Sequence, residues 1–106
     1  MEVRVHREVW EEFARLPEAD ARAVRHALAK LELLGIGLGF PHSSAVRGAD
    51  RLRELRPKGG RCRWRALYRQ IGQVMWVGAI GPEAAVDRLG FARAIKQAEE
   101  RLKGLE

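Results

Sequence analysis

The chain has 106 residues, 46% of them apolar, and its 20 lysines and arginines exceed its 14 aspartates and glutamates to give a formal net charge of +6. A domain of roughly 100 residues buries about two-thirds of the surface of its unfolded chain, which supports one core and excludes the large two-domain enzymes. Cys62 is the only cysteine, which excludes an intramolecular disulfide and a cysteine-based zinc or iron-sulfur site. No window reaches the ~18 apolar residues of a membrane span and no apolar signal segment is present, so we expect one cytoplasmic domain over residues 1–106.

The first third of the chain predicts a strand followed by a helical hairpin. Residues 2–6 alternate between charged and apolar side chains, as a short strand does. Apolar residues at three-to-four spacing from Val9 to Leu16 predict a helix that ends at Pro17. A second helix is predicted from Pro17 to a C-terminal cap at Gly35.

Glycine and proline residues crowd the segment 35–44 and predict a loop. Its Gly-x-Gly-x-Gly run follows a helix, whereas a phosphate-binding loop joins a strand to a helix and continues into Gly-Lys-Ser/Thr. The run therefore gives little support for nucleotide binding.

The excess positive charge is confined to the segment 47–69, which we call the basic segment. It contains nine basic residues against Asp50 and Glu54, whereas the chain on either side is close to neutral. A block of charge this concentrated favours a polyanionic partner, either nucleic acid or an acidic protein segment, over a merely solvated basic face.

The basic segment predicts strands. Residues 52–56 indicate a short strand, 57–60 a turn, and 61–69 a strand with two-residue alternation. One face of that strand carries Cys62, Trp64, Ala66 and Tyr68, and the other carries Arg61, Arg63, Arg65, Leu67 and Arg69. We expect the first face to pack on the helical hairpin. The second is expected to stay open, with guanidinium groups about 7 Å apart that could follow the phosphates of a nucleic-acid strand.

The rest of the chain predicts a turn at 70–73, a central strand over 74–80 and a helix from Pro82 to Gly104. The expected apolar stripe of that helix is Val86, Leu89, Ala92, Ile95, Ala98 and Leu102. The predicted fold class is α+β, a small single domain of order β-α-α-β-β-β-α. Its antiparallel sheet has a helical hairpin packed on one face.

Three short motifs follow one another in the basic segment, namely Leu52-Arg-Glu-Leu-Arg56, Gly59-Gly60 and Trp64-Arg-Ala-Leu-Tyr68. In this order they resemble the RelE/HigB-type toxins of bacterial type II toxin-antitoxin systems, which also share the predicted order of elements. The resemblance implies an endonuclease that cuts mRNA on the ribosome without a cofactor. It also implies an antitoxin partner, which we expect to be a small helix-turn-helix protein.

The resemblance further implies the catalytic residues. Arg56 lies where the family places a basic residue at the end of the first meander strand, and Arg65 matches the arginine that contacts the scissile phosphate. Lys58 lies in the turn, within reach of the same point, while the role of Glu54 stays open because relatives differ there. The remaining candidates for binding RNA are Arg53, Arg61, Arg63 and Arg69.

The sequence departs from the family after the last strand. Many relatives have a basic cluster there, but this chain has no basic residue between Arg69 and Arg88. Two alternatives therefore stay open. One is a non-catalytic RelE/ParE-fold relative, either an inactivated toxin or a gyrase poison, and the other is a plain module that binds the backbone of RNA or DNA.

Cleavage through the RNA 2′-hydroxyl needs a base, positive charge at the phosphate and an acid for the leaving 5′-oxygen, but no metal. Arginines supply the charge, and Lys58 is a candidate base because it lies among other cations. His42 and Tyr68 are candidate proton carriers, although the alternation favours core packing for Tyr68. His6 and His26 have no partner at metal-ligand spacing, so no metal site is expected.

Overall fold

A computed structural model describes residues 1–106 as a five-stranded sheet with helices on both faces. The elements are β1 (Glu2–Val5), α1 (Val9–Ala14), α2 (Glu18–Leu34), β2 (Ser43–Ala45), β3 (Arg53–Leu55), β4 (Trp64–Ile71), β5 (Val74–Pro82) and α3 (Arg88–Lys103). The strand order is β1-β5-β4-β3-β2, in which β1 runs parallel to β5 and all other neighbours are antiparallel. The predicted α+β class, the helical hairpin and the antiparallel meander of β3, β4 and β5 are confirmed.

The helical hairpin covers one face of the sheet. Val24 and Leu31 lie seven residues apart on α2, hence on one side of the helix, and both are fully buried. They join a core that includes Ala66 and Tyr68 of β4. The helix ends at Gly35, whose φ of +53° suits glycine. This confirms the predicted hairpin and the face of β4 that it covers.

The opposite face of the sheet is covered by α3. Ala94, Ala98 and Leu102 pack there on Leu67 of β4 and Ala79 of β5. The expectation that this face is open to solvent is therefore wrong, because the sheet is buried on both sides. The small side chains of α3 allow the helix to approach the strands closely.

Because α3 covers this face of the sheet, two arginines of the basic segment are buried. Arg65 and Arg69 lie on the α3 face of β4, where they are 2% and 5% exposed. Arg61 and Arg63 precede the strand, which begins at Trp64, and both are exposed. The expected row of open guanidinium groups along one strand is thus replaced by two buried and two exposed arginines.

The last helix begins later than predicted. Pro82 ends β5, and α3 starts at Arg88 after the cap residue Asp87, whose Oδ1 accepts a hydrogen bond from the Gly90 amide at 2.9 Å. Val86 and Leu89, expected in the apolar stripe, are exposed. Ala98 and Leu102 of the predicted stripe are buried, and so are Gly90 and Ala94, which were not expected in it.

A β-bulge in β5 lies where α3 packs on the sheet. The register between β4 and β5 shifts between Leu67 and Tyr68, and the extra residue is Gly78 of β5. A Cβ atom on Gly78 would lie 2.8 Å from Cγ of Leu102, so only glycine fits. The Gly78 carbonyl accepts a hydrogen bond from Nη1 of Arg101 at 3.0 Å.

The strand β2 was not expected, since the whole of 35–44 was predicted as loop. Its three residues pair with β3, with Ser43 opposite Leu55, at the outer edge of the sheet. Their sequence is too short to display alternation, and the pairing depends on β3.

None of the helices has the length and apolar composition needed to cross a bilayer.

Candidate functional site

A cationic cleft of about 180 Å³ lies between α2 and the end of β3. We call it the α2 cleft. Its ionisable lining residues are all basic, and no carboxylate lines it. They are His26, Lys30, His42, Arg56 and Lys58. Because no negatively charged side chain lines it, this cleft is suited to binding an anion.

Arg56 links the cleft to the neighbouring loop. Its backbone amide donates to the His42 carbonyl at 2.8 Å, and its Nε donates to the Pro41 carbonyl at 2.9 Å. The guanidinium lies over the Phe40 ring, with Cζ 5.2 Å from the ring centroid. Its Nη1 also donates to Glu54 at 2.9 Å. Nη2 has no hydrogen-bond partner in the chain, so Arg56 keeps donors for a ligand.

Arg65 lies behind Arg56, in the interior. Its Nε donates to Oε1 of Glu54 at 3.2 Å and its Nη2 to Oε2 of Glu83 at 2.6 Å. The remaining donors bond to the carbonyls of Gly60, Cys62 and Trp64. A guanidinium has five N–H groups. All five of Arg65 are therefore satisfied within the chain.

Lys58 is exposed at the mouth of the cleft, in the tight turn Pro57–Gly60. It adopts the left-handed conformation, with a φ of +56°. Only a few per cent of non-glycine residues do so, and the conformation costs free energy. The turn thus directs a cationic side chain outward at an energetic cost.

The four arginines predicted to bind RNA have different surroundings. Arg61 is exposed and donates from Nε to the Lys58 carbonyl at 3.0 Å. Arg63 is also exposed, with Cζ 5.9 Å from the centroid of the Trp64 ring. Arg53 is half-buried and donates to Ser43 Oγ at 3.0 Å. Arg61 and Arg63 remain accessible to a polyanion.

Arg69, the fourth of them, is held at the opposite end of β4. Its Nε and Nη2 both donate to the Asp50 carbonyl, and Nη1 lies 3.8 Å from Glu106. Glu106 also accepts a hydrogen bond from the exposed Arg51 at 2.6 Å. That bond, followed by the one to Asp50, raises the pKa of the Arg51 guanidinium. Arg69 is therefore part of an internal ion-pair cluster away from the α2 cleft.

The two candidate proton carriers are separated by the structure. Tyr68 is buried in the hairpin core, where its hydroxyl is 2.6 Å from Ser43 Oγ. The prediction of core packing for this residue is confirmed. His42 lines the α2 cleft, and its Nδ1 is 3.5 Å from Nζ of Lys30. His42 is thus the candidate proton carrier that lies beside Arg56 and Lys58.

Three residues near the site were not singled out from the sequence. His26 and Lys30 lie four residues apart on α2, hence on one side of the helix, and both line the cleft. That spacing was readable, but a charged helix face is usually solvent-exposed. Glu83, which binds Arg65, lies in the segment between β5 and α3, 18 residues away in sequence. The structure contains no group of three or more His, Cys, Asp or Glu residues placed to hold a metal ion.

The family model "Phage derived protein Gp49-like (DUF891)" matches residues 11–75, which include most of the hairpin, the basic segment and the turn between β4 and β5. The chain belongs to this Gp49-like family. A search of the curated proteins gives no match. The matched region contains Arg56, Lys58 and Arg65 but not Glu83.

Solved structures show the fold of this Gp49-like chain to be that of RelE toxins. A double mutant of the E. coli toxin RelE in the free state superposes with a TM-score of 0.62 at 14% identity, covering 90% of this chain and 94% of that one. A chain of the archaeal RelE-RelB complex from Pyrococcus horikoshii OT3 gives a TM-score of 0.55 at 21% identity, covering 76% of this chain and 92% of that one. The resemblance to RelE-type toxins is thereby confirmed.

Proposed function

We propose that the chain is the toxin of a type II toxin-antitoxin system and that it cuts mRNA on the ribosome. The observation that carries the proposal is the α2 cleft, whose ionisable lining residues are all basic, on a RelE fold that spans nine-tenths of the chain. It lies where the Leu-Arg-Glu-Leu-Arg strand ends in Arg56, so two of the three residues expected for catalysis, Arg56 and Lys58, line the cleft, whereas Arg65 is buried beside it. Action on ribosomes implies a cytoplasmic location.

The cleavage would proceed through the 2′-hydroxyl of the RNA. A base removes its proton, the 2′-oxygen attacks the adjacent phosphorus, and the bond from phosphorus to the 5′-oxygen breaks to leave a cyclic phosphate. Positive charge must be in place where the phosphate gains charge. Arg56, with its unpaired Nη2, supplies that charge.

The proton carriers of this scheme are Lys58 and His42. Lys58 is exposed and lies among other cations, so it is the candidate base for the 2′-hydroxyl. The ring of His42 lines the same cleft as Arg56 and Lys58, and its Nδ1 lies 3.5 Å from Nζ of Lys30. His42 is therefore the candidate that delivers a proton to the leaving 5′-oxygen.

The proposed partner is an antitoxin protein. The archaeal RelE named above was solved in complex with RelB, which supports a protein partner for a chain of the same fold. This chain also exposes Leu33, Ile36 and Phe40 around the C-terminal end of α2. Leu33 and Ile36 are three residues apart and Phe40 follows four residues later, and exposed apolar patches are typical of protein interaction sites.

A non-catalytic relative is the second candidate. Two observations favour it: no basic residue lies between Arg69 and Arg88, and Arg65 has no free donor. Such a relative would arrest growth through another target, such as gyrase, or would not arrest it at all. A plain nucleic-acid module would instead bind naked RNA with a steep dependence on salt concentration.

Induced expression in a bacterial host, followed by primer-extension mapping of mRNA ends, tests the proposal. We expect growth arrest and cuts at fixed positions within codons that disappear when translation is blocked. Arg56→Ala should abolish the cuts, while Arg88→Ala, at an exposed position outside the basic segment, should keep them. Intact mRNA in arrested cells would favour the gyrase poison, and healthy growth with intact mRNA would favour an inactivated toxin or a binding module.

A further inference from the structure

Arg65 has no free N–H group with which to contact RNA. Each of its five N–H groups already bonds to Glu54, Glu83 or a backbone carbonyl, and the residue is 2% exposed. A phosphate at this guanidinium would have to displace a carboxylate from a buried ion pair, which is strongly unfavourable. The residue expected to contact the scissile phosphate is therefore unsuited to that role.

Arg56 has the properties that Arg65 lacks. Its side chain is 22% exposed, it lines the α2 cleft and its Nη2 is unpaired. It is also connected to Arg65, because both arginines donate to the same oxygen, Oε1 of Glu54. The charges alternate along this row, from Glu83 through Arg65 and Glu54 to Arg56.

We propose that Arg56 contacts the scissile phosphate and that Arg65, with Glu54 and Glu83, positions Arg56, an assignment that rests on the proposed function. Glu54 fixes the Arg56 guanidinium but would also cancel its charge. Arg65 binds the same carboxylate oxygen and so offsets the negative charge of Glu54. Glu83 in turn holds Arg65 in place at 2.6 Å. Arg56 is thus held with its unpaired Nη2 available to an anion in the cleft.

A double-mutant cycle on programmed ribosomes tests how these residues are coupled. Arg56→Ala should slow single-turnover mRNA cleavage by about a hundredfold, as expected for a lost donor to a developing anion. Glu83→Gln, an isosteric change, should slow it about tenfold alone but add almost nothing in the Arg56→Ala protein, because coupled positions are not additive. The control Glu100→Gln, an exposed α3 residue without an ion pair, should have no effect. If the two losses multiply, Arg65 and Glu83 act independently of Arg56 and the proposal is overturned.

A second measurement does not depend on cleavage. Titration with inorganic phosphate, followed by NMR of the arginine Nε–H groups, should shift the Arg56 signal and leave that of Arg65 in place. In the Glu83→Gln protein the Arg56 shift should require a higher phosphate concentration. A primary response at Arg65 would overturn the assignment even in a protein that cuts no mRNA. Absence of cleavage with a response at Arg56 would refute the proposed function alone.

Discussion

Arg56 and Arg65 donate hydrogen bonds to the same oxygen of Glu54, at 2.9 and 3.2 Å. One carboxylate oxygen thus bridges two guanidinium groups that would otherwise repel each other. One of these groups is buried and the other lines the α2 cleft. The interior and the cleft are therefore electrostatically coupled through a single atom.

Replacing Arg65 should reduce stability far more than replacing Arg63, two residues earlier. Arg65→Ala leaves Glu54 and Glu83 without their partner, and breaking such a pair costs about 3 kcal/mol. Arg63 is exposed and only stacks near Trp64, so Arg63→Ala should cost less than about 1 kcal/mol. Urea unfolding of the two variants measures the difference. Equal losses would mean that the ion pairs of Arg65 do not stabilise the fold.

We expect Lys58 to lower the stability of the fold and to be needed for mRNA cleavage. Its left-handed conformation suits glycine, so Lys58→Gly should raise the free energy of unfolding by about 0.5–1 kcal/mol. The same change removes the candidate base, and mRNA cleavage should be lost. Lys58→Met, which keeps the strained backbone and loses the charge, should lose cleavage without the gain in stability. Full cleavage by either variant would exclude Lys58 from the chemistry.

Tyr68 should affect stability and not catalysis. Tyr68→Phe removes a buried hydroxyl whose partner, Ser43 Oγ, still accepts a hydrogen bond from Arg53. The net loss of one hydrogen bond costs about 1 kcal/mol. The thermal midpoint should fall, while the rate of mRNA cleavage should match that of the unmodified protein. A large fall in rate with an unchanged fold would make Tyr68 a proton carrier after all.

Gly78 should tolerate no side chain. In Gly78→Ala the new methyl group would lie 2.8 Å from Cγ of Leu102 and 3.0 Å from Cα of Ala98, so α3 must move. Overpacking of this kind costs about 1–3 kcal/mol. Gly37→Ala is the matched control, since no atom lies within 4 Å of a Cβ at that position. Thermal or urea unfolding should separate the two, and equal stability would show that α3 adjusts without cost.

The elements with strong local signals could be predicted from sequence. Pro17 and Gly35 bound a helix whose apolar spacing is regular, and the two-residue alternation in β4 identified which side chains share a face. These signals depend on neighbours in sequence. They survive in the fold because each element buries the face that its own pattern defines.

The buried face of α3 could be predicted only for its C-terminal half, where Ala98 and Leu102 are buried as expected. Val86, which precedes the helix, and Leu89 in its first turn are exposed, and the fold instead buries Ala94 together with Ala98 and Leu102. Alanine and glycine contribute little to the hydrophobic pattern of a sequence. Their small size nevertheless permits the closest contact between a helix and a strand. Sequence spacing alone does not show which residues of the first turns of a helix meet a sheet.

The candidate site was predicted in part for a similar reason. Arg56, Lys58 and His42 were identified by motif and chemistry, and the fold brings all three to one cleft. Arg65 was expected on an open face, since arginine is seldom buried without a partner. Its partner Glu83 lies beyond β5 in a segment without a motif. Pairings of this kind become visible only when distant segments are brought together.

The bulge at Gly78 has a consequence for insertions and deletions. On either side of it, Leu67 already faces Ala79 and Tyr68 already faces Val77. Deleting this one residue would therefore leave the β4–β5 ladder paired along its whole length, unlike most deletions within a central strand, which shift the register. The carbonyl that receives Arg101 and the recess that receives Leu102 would be lost instead. Strand pairing and helix docking can thus be altered separately in this fold, by a change of a single codon.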